Sequence, residues 1–531
     1  MSVQTIPYSE TGYFSNLICD YLAEKKELQP FYHRFPKLDN FMEQLQEKQK
    51  SFPQEQRNVL VERLKFQNRE IEISEATQKN IAALSSSNTF TITTGHQLNL
   101  FTGPLYFLYK IISVINLSET LNKKHPKQHF VPIYWMATED HDFDEINYFN
   151  LFGKKIKWNR KSSGAVGELS TEGLAEVAEV FKNTLGNSSN AKKLISLFTE
   201  AYVKHHNLAD ATRYLANVLF SEFGLVIIDG NDTTLKKVFI PFAEKELTEN
   251  LSFKNVTQTT KELTQLGYNE QVHPREINLF YLKEGLRERI IEQGGRYYVN
   301  ETDSSFSKEE IIAELNTHPE RFSPNALLRP LYQEVNLPNL CYVGGGGELA
   351  YWFQLKDYFK SVAIPFPILL LRNSVLLLPE NLSEKLKKLD VNIEALFLEQ
   401  HELESAHTKK ISEIKIDFST ELDFLEAHFR NLKLIALQTD KSFEGAVNAQ
   451  EKKQINGLKN LEKRLLKAQK RKLSDQLNRL TAIQDELFPK QSLQERSLNF
   501  SEFYEPYGEN LIKTLKENLN PLSNGFTVVR I

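Results

Sequence analysis

Cysteine is nearly absent: Cys19 and Cys341 are the only two in 531 residues. Two distant thiols cannot build a disulfide framework or a four-thiolate zinc site, so both read as packed or half-exposed thiols. Cys341 alone stands next to a candidate loop, just ahead of a glycine run. Long apolar runs are missing too. The most apolar stretch, 364–379, is broken by Pro365, Pro367, Arg372 and Asn373, which excludes a membrane span and suits a buried strand-turn-strand. The first thirteen residues are polar and lack a signal-peptide apolar segment, so a cytoplasmic protein is expected. Neither charge sign dominates: 65 Lys and Arg stand against 69 Asp and Glu, a net charge of −4. That balance excludes a global attraction to nucleic acid or anionic membrane. There is no Walker A loop and no dinucleotide fingerprint.

What is present falls into regions. At 531 residues the chain exceeds one ordinary core. Residues 1–87 read as a polar helical segment packing on the core. Residues 88–379 alternate helical runs with short apolar β-rich runs at Phe90–Thr94, Phe130–Met136, Leu225–Asp229, Leu340–Val343 and Ile368–Leu371. This rhythm predicts an α/β fold around a largely parallel sheet. Inserted subdomains are expected at about 150–220 and 250–325, the second with a hairpin around Gly294-Gly295. Residues 380–490 read as an α-helical coiled coil, and 491–531 as a segment returning to the core. The seam runs through Leu422, Leu425, Phe429, Leu432, Ala436, Thr439 and Phe443, then Leu458, Leu461, Leu465 and Ala468. It resumes at Leu473, Leu477, Leu480 and Leu487 after an offset near Lys472. The turn between two antiparallel helices is expected between Glu444 and Gly457.

Charge on these helices is uneven. Residues 451–480 hold ten Lys or Arg against three acids, and residues 384–430 eleven acids against seven bases. Pairing of opposite charges across the hairpin explains this most simply. A basic wall for a phosphate-bearing ligand is the alternative. No aromatics interleave with the basic tract, so nucleic-acid binding is not expected. Leu434, Ile435, Ile455 and Leu466 widen the apolar stripe, which predicts a homodimer through this region.

Three loops carry candidate chemistry. The first is Thr94-Gly-His-Gln-Leu-Asn-Leu-Phe-Thr-Gly-Pro-Leu-Tyr106. It would project His96 and Gln97 from the carboxyl end of a strand. Thr102-Gly103-Pro104 then looks like a capped helix start, with Lys110 two turns along to complement an anion. The second packs five acids and His141 between Glu139 and Glu145, ending at Asn147. Such density suits a general base, a pocket for an amine, or a magnesium ion with nucleotide phosphates. No zinc spacing is present and no structural metal is expected. The third joins Arg329-Pro-Leu-Tyr-Gln-Glu334 to Tyr342-Val-Gly-Gly-Gly-Gly-Glu-Leu-Ala-Tyr-Trp352, where the glycines let backbone approach a ligand.

In this order, Thr102-Gly-Pro-Leu-Tyr106, Glu139-Asp-His-Asp142 with Glu145 and Asn147, Arg329-Pro330 with Gln333-Glu334, and Gly347-Glu348 with Tyr351 resemble the cysteine ligase family of bacillithiol biosynthesis, the BshC family, over essentially the whole chain. Two positions depart from it: the family often has glutamine at His96 and proline at Gly346. The resemblance implies a Rossmann-like, nucleotidylyltransferase-like core with inserted connecting segments, and a coiled coil used for dimerisation. It implies addition of cysteine to glucosaminyl malate, with the energy source open and ATP or ADP with magnesium the candidates.

Asp140, His141, Asp142 and Glu145 are then the candidate catalytic residues. His96, Gln97, Thr102, Gly103, Tyr106, Lys110, Asn147, Arg329, Gln333, Gly347, Glu348, Tyr351 and Arg372 are the candidate substrate-binding set. Among these, Lys110, Arg329 and Arg372 are the fixed cations that a dicarboxylate substrate demands. Two other readings fit the same residues: a nucleotidylyl- or adenylyltransferase acting on another carboxylate, and a non-catalytic dimeric scaffold.

Overall fold

The computed structural model describes residues 3–531. Five strands form the central sheet: β1 (Thr89–His96), β2 (His129–Met136), β3 (Val226–Asp229), β4 (Asn339–Gly344) and β5 (Ile368–Leu371). All neighbours are parallel and the order is β5-β4-β1-β2-β3. Each coincides with one of the five apolar runs read from the sequence. Alternate side chains enter two separate cores. Val131, Ile133 and Trp135 of β2 join one, and Phe130, Tyr134 and Met136 the other. Burial on both faces explains why these strands read as unbroken apolar runs.

The chain lays down β1, β2 and β3 in one direction, then returns to place β4 on the other side of β1. The loops after β1 and β4 therefore diverge at a topological switch point, where open α/β sheets bind their ligands. The helix Tyr106–Lys124 follows β1 and is buried along most of its length.

A second sheet interrupts the sequence between β3 and β4. Its strands are antiparallel, in the order Ser305–Phe306, Arg296–Val299, Leu286–Gln293, Leu279–Lys283, Phe322–Pro324. The hairpin at Gly294-Gly295 is present, but it is one corner of a five-stranded sheet. A third sheet pairs Val3–Pro7 with Gly525–Arg530, which also pairs with Val375–Leu378. The all-helical reading of the first 87 residues missed that opening strand, because five residues with one buried side chain carry almost no period.

In the tail, Ser419–Ala436 packs antiparallel on the 32-residue helix Lys441–Lys472. The reversal falls at 437–440, capped by Asp440. The predicted turn at 444–457 is thus corrected: Gly445 and Gly457 lie inside the long helix. The offset near Lys472 is a real break, after which Ser474–Leu487 docks on the core through Leu480 and Leu487. The basic stretch pairs with acids mostly outside the hairpin, Lys470 with Glu404 of the helix Gln400–Ile411 and Lys472 with Glu413 just past it, while Lys433 with Glu451 crosses the hairpin itself. Among the described residues no helix is long and apolar enough to cross a membrane.

Candidate functional site

A cavity of about 760 Å³ opens at the switch point, between the carboxyl ends of β1, β2 and β4 and the inserted sheet. The sheet-end wall is made of buried charge. Lys110 lies on the helix after β1. Its Nζ meets Glu348 Oε2 at 2.7 Å and donates to the Gly95 carbonyl at 2.8 Å. Burial lowers the Lys110 ammonium, and Glu348 opposes that shift. Burial also pushes the Glu348 carboxyl up, but Lys110, the Gly345 N–H at 2.7 Å and Arg329 outweigh it and hold it below the ordinary range. Tyr342 donates to the other Glu348 oxygen. Arg372 is likewise buried, 2.7 Å from Glu495 of the C-terminal segment, with its Nε unpartnered. Lys110 and Arg372 both line the cavity, as expected of fixed cations, but each is already paired with an internal carboxylate.

Arg329 differs. Its guanidinium donates to Gln333 Oε1 at 3.1 Å and Tyr351 Oη at 3.2 Å, both neutral, so its charge is not cancelled by contact. Arg496 lines the same wall and forms no ion pair among the described residues. Four cations thus face two carboxylates here, and the two left over, Arg329 and Arg496, match the charge of a dicarboxylate.

The acidic loop following β2 divides its charges among separate partners. Glu139 is ion-paired with buried Lys236, and burial keeps its carboxyl raised. Gln97 donates to Asp140 at 2.8 Å and to Glu145 at 3.0 Å. Asp144 lies 3.9 Å from Lys157 and accepts from Asn147. Asp140, His141 and Asp142 line the cavity, and their ligand atoms lie within 4.8 Å of one another, close enough to share a cation. Arg287 Nη1 donates to His141 Nδ1 at 2.6 Å, and the other ring nitrogen, Nε2, lies 3.9 Å from Asp142 Oδ1. Asp142 has a half-exposed side chain, yet its carboxyl is raised, first by partial burial in the cavity and then by Asp140. A raised carboxylate at the cavity edge can accept a proton from an amine.

His96 and Tyr106 complete the floor, their rings edge to face at 5.4 Å. Burial, reinforced by Lys110, drives the His96 imidazole well below its ordinary value, and its Nε2 has no partner. It stays neutral. Gly347 opens directly onto the cavity with no atom near where a Cβ would stand.

Five of the residues named from sequence do not line this cavity. Glu145 is held by Gln97 outside it. Gln333 is buried between Arg329 and Glu334, and Glu334 itself is paired with Lys48. Asn147 is buried beside Asp144. Thr102 does not cap the helix; it sits in a tight turn at φ +67° with its hydroxyl unpartnered. Gly103 follows at φ +63°, where a Cβ would stand 2.6 Å from Asn99 Cβ, so this glycine serves the turn. Conversely, Arg275, Arg287, Arg289 and Arg496 line the cavity, and sequence reasoning did not name them. The Arg-x-Arg spacing of Arg287 and Arg289 was too common in polar strands to single them out.

Residues 1–373 match the family model described as bacillithiol biosynthesis BshC, N-terminal Rossmann-like domain, and residues 375–531 match its C-terminal coiled-coil domain. The protein named "Putative cysteine ligase BshC" from Christiangramia forsetii is 56% identical over 533 residues, covering 100% of this chain and 99% of its own length. Its namesake from Flavobacterium johnsoniae is 56% identical over 531 residues, with 100% of both chains covered. One from Bacillus cereus is 28% identical over 546 residues, covering 98% of each.

Proposed function

The chain belongs to the BshC family of bacillithiol biosynthesis, and from that premise we propose that it is a ligase joining cysteine to glucosaminyl malate through an amide bond. The observation that carries the reading is the cavity itself. Arg329 and Arg496 supply two uncompensated positive charges for the two malate carboxylates, within the same cavity as an acidic loop suited to ammonium groups. An amide cannot form from a free carboxylate in water until that carboxylate becomes a phosphate or adenylate ester, so an energy donor is required. Asp142 takes the proton from the attacking sugar amine, with His141 Nε2 close by at 3.9 Å. The neutral His96 and the Gly347 backbone border the space in which the substrates meet.

The test is thiol and precursor profiling of cells with the gene deleted. Loss of bacillithiol with accumulation of glucosaminyl malate is expected, and normal bacillithiol with no precursor would sink the assignment.

The enzyme works in the cytoplasm as a homodimer built on the coiled coil. Support for the dimer comes from the hairpin, where Phe424, Leu434 and Leu437 are 75%, 62% and 67% exposed. The helix Lys441–Lys472 would span about 48 Å at 1.5 Å per residue, and along it only Val447 is buried. A second copy related by a two-fold axis would cover this stripe. Because these side chains are exposed, Leu434→Glu with Leu437→Glu should leave the fold intact and halve the mass seen by light scattering. A variant that keeps the dimer mass would place the interface elsewhere.

A further inference from the structure

The cavity has a second cationic wall that the dicarboxylate reading does not use. The strand Leu286–Gln293 places Arg287 and Arg289 two residues apart, hence on one face of the inserted sheet. Arg275 joins them from the segment before Leu279–Lys283. Arg289 sits opposite Phe280 in the ladder, and the Phe280 ring carries the Arg287 guanidinium at 4.1 Å. Arg287 is nine-tenths buried, and its acceptors are His141 Nδ1, Ser323 Oγ and the Pro324 carbonyl. None of the three is a carboxylate. Among the described residues, Arg275 and Arg289 form no ion pair and no side-chain hydrogen bond, although both line the cavity.

Burial lowers the Arg287 guanidinium, and Glu139, then Asp140 and Asp142, oppose that shift through space without touching it, so Arg275 and Arg289 carry the uncompensated charge of this wall. Three guanidinium groups line this side of the cavity, and with no carboxylate in contact with Arg275 or Arg289 a multiply charged anion can neutralise them. A dicarboxylate is already matched by Arg329 and Arg496. The remaining wall suits a ligand with more charge and with oxygens pointing in several directions, which planar guanidinium forks bind in pairs.

We propose that Arg275, Arg287 and Arg289 hold the phosphate chain of a polyphosphate ligand, placing an activating nucleoside triphosphate on the inserted sheet, across the cavity from the carboxylate subsite. The biological role given to that ligand rests on the ligase reading, whereas the binding site does not.

Titration calorimetry on the full chain tests it, with ATP, inorganic tripolyphosphate and L-malate as separate probes. In the double variant Arg275→Ala/Arg289→Ala, affinity for ATP and tripolyphosphate should fall at least tenfold while malate affinity changes less than twofold. Arg329→Lys should show the reverse pattern. Equal losses for ATP and tripolyphosphate identify the phosphate chain as the whole determinant. A larger loss for ATP identifies a nucleoside triphosphate as the ligand. Wild-type protein that binds neither polyphosphate, a double variant that binds both normally, or a loss confined to malate overturns the proposal. Bacillithiol measured in cells carrying the double variant separates the two readings. Normal output with polyphosphate binding abolished would count against the nucleotide-dependent ligase reaction and leave the site standing.

Discussion

On the sheet-end wall of the cavity, Lys110 and Arg372 are buried and each closes an ion pair, with Glu348 and Glu495 respectively. On the facing wall, Arg275 and Arg289 reach the same space with no acid in contact. The residue types are alike and the energetic roles are opposite. A buried pair has lost its hydration and is tolerable only while both partners are present, so it fixes geometry before any ligand arrives. An exposed cation keeps its water, adds little to stability, and is free for a ligand to neutralise. One wall is a rigid frame, and the other is completed by what binds.

That contrast can be broken most forcefully at Lys110. Lys110→Met strands the Glu348 carboxylate in a buried site and should lower stability by about 3–5 kcal/mol. Exposed Arg275→Ala should cost less than about 0.5 kcal/mol, as surface substitutions do. Denaturant midpoints measure both, and equal shifts would abolish the distinction between the walls.

A smaller effect is expected from Asp142→Asn, with activity falling by roughly a hundredfold while the melting temperature barely moves, since a mere helix cap would cost only about 1 kcal/mol of stability. The direction of its pH dependence is fixed as well. Asp142 must be deprotonated to accept a proton, and its carboxyl is raised. The acid limb of the rate profile should therefore lie above the ordinary carboxylate range and disappear in the variant. Unchanged turnover would remove Asp142 from the chemistry.

Arg329→Lys sharpens the comparison from the ligand's side. It keeps the charge and loses the fork, so malate affinity should drop by about tenfold with little change in fold. An unaltered dissociation constant in calorimetry would show that Arg329 only supports Gln333 and Tyr351.

The smallest effect concerns His96. Its folded-state value lies well below 6.5, so the unfolded chain binds the extra proton first. Stability is therefore lost as pH falls below about 6.5, the unfolded value. His96→Gln should flatten the melting-temperature slope between about pH 7 and pH 5. Parallel slopes for the two proteins would mean that His96 is not held neutral.

The five core strands were legible because burial on both faces leaves short, unmixed apolar runs such as Phe130–Met136. The tail was legible because its seam repeats over many turns. Its turn was misplaced because Gly445 and Gly457 look like breakers, yet an exposed helix held by its neighbour tolerates them. Asp440, the actual cap, stood four residues ahead of the segment considered. At the site, the loops after β1, β2 and β4 announced themselves by glycine and acid density. Which cations were free did not follow, because Glu495 lies 123 residues from Arg372 and Lys48 lies 286 from Glu334. Pairings across such distances leave no local pattern. The inserted sheet's arginines were missed for another reason: a single Arg-x-Arg in a polar strand resembles any solvated edge.

The bond between Arg372 and Glu495 also sets an order of events during synthesis. The two residues are 123 positions apart, and the whole helical hairpin is translated between them. At about 5–20 residues per second, the ribosome needs roughly 6–25 s to cover that interval. Throughout it Arg372 lacks its carboxylate and has only the Asn373 carbonyl, the Ser374 hydroxyl and the Tyr106 ring as partners. The Rossmann-like layer can therefore fold early while its binding chamber stays unlatched. Only when the segment carrying Glu495 and Arg496 emerges and docks can the nascent protein engage a substrate.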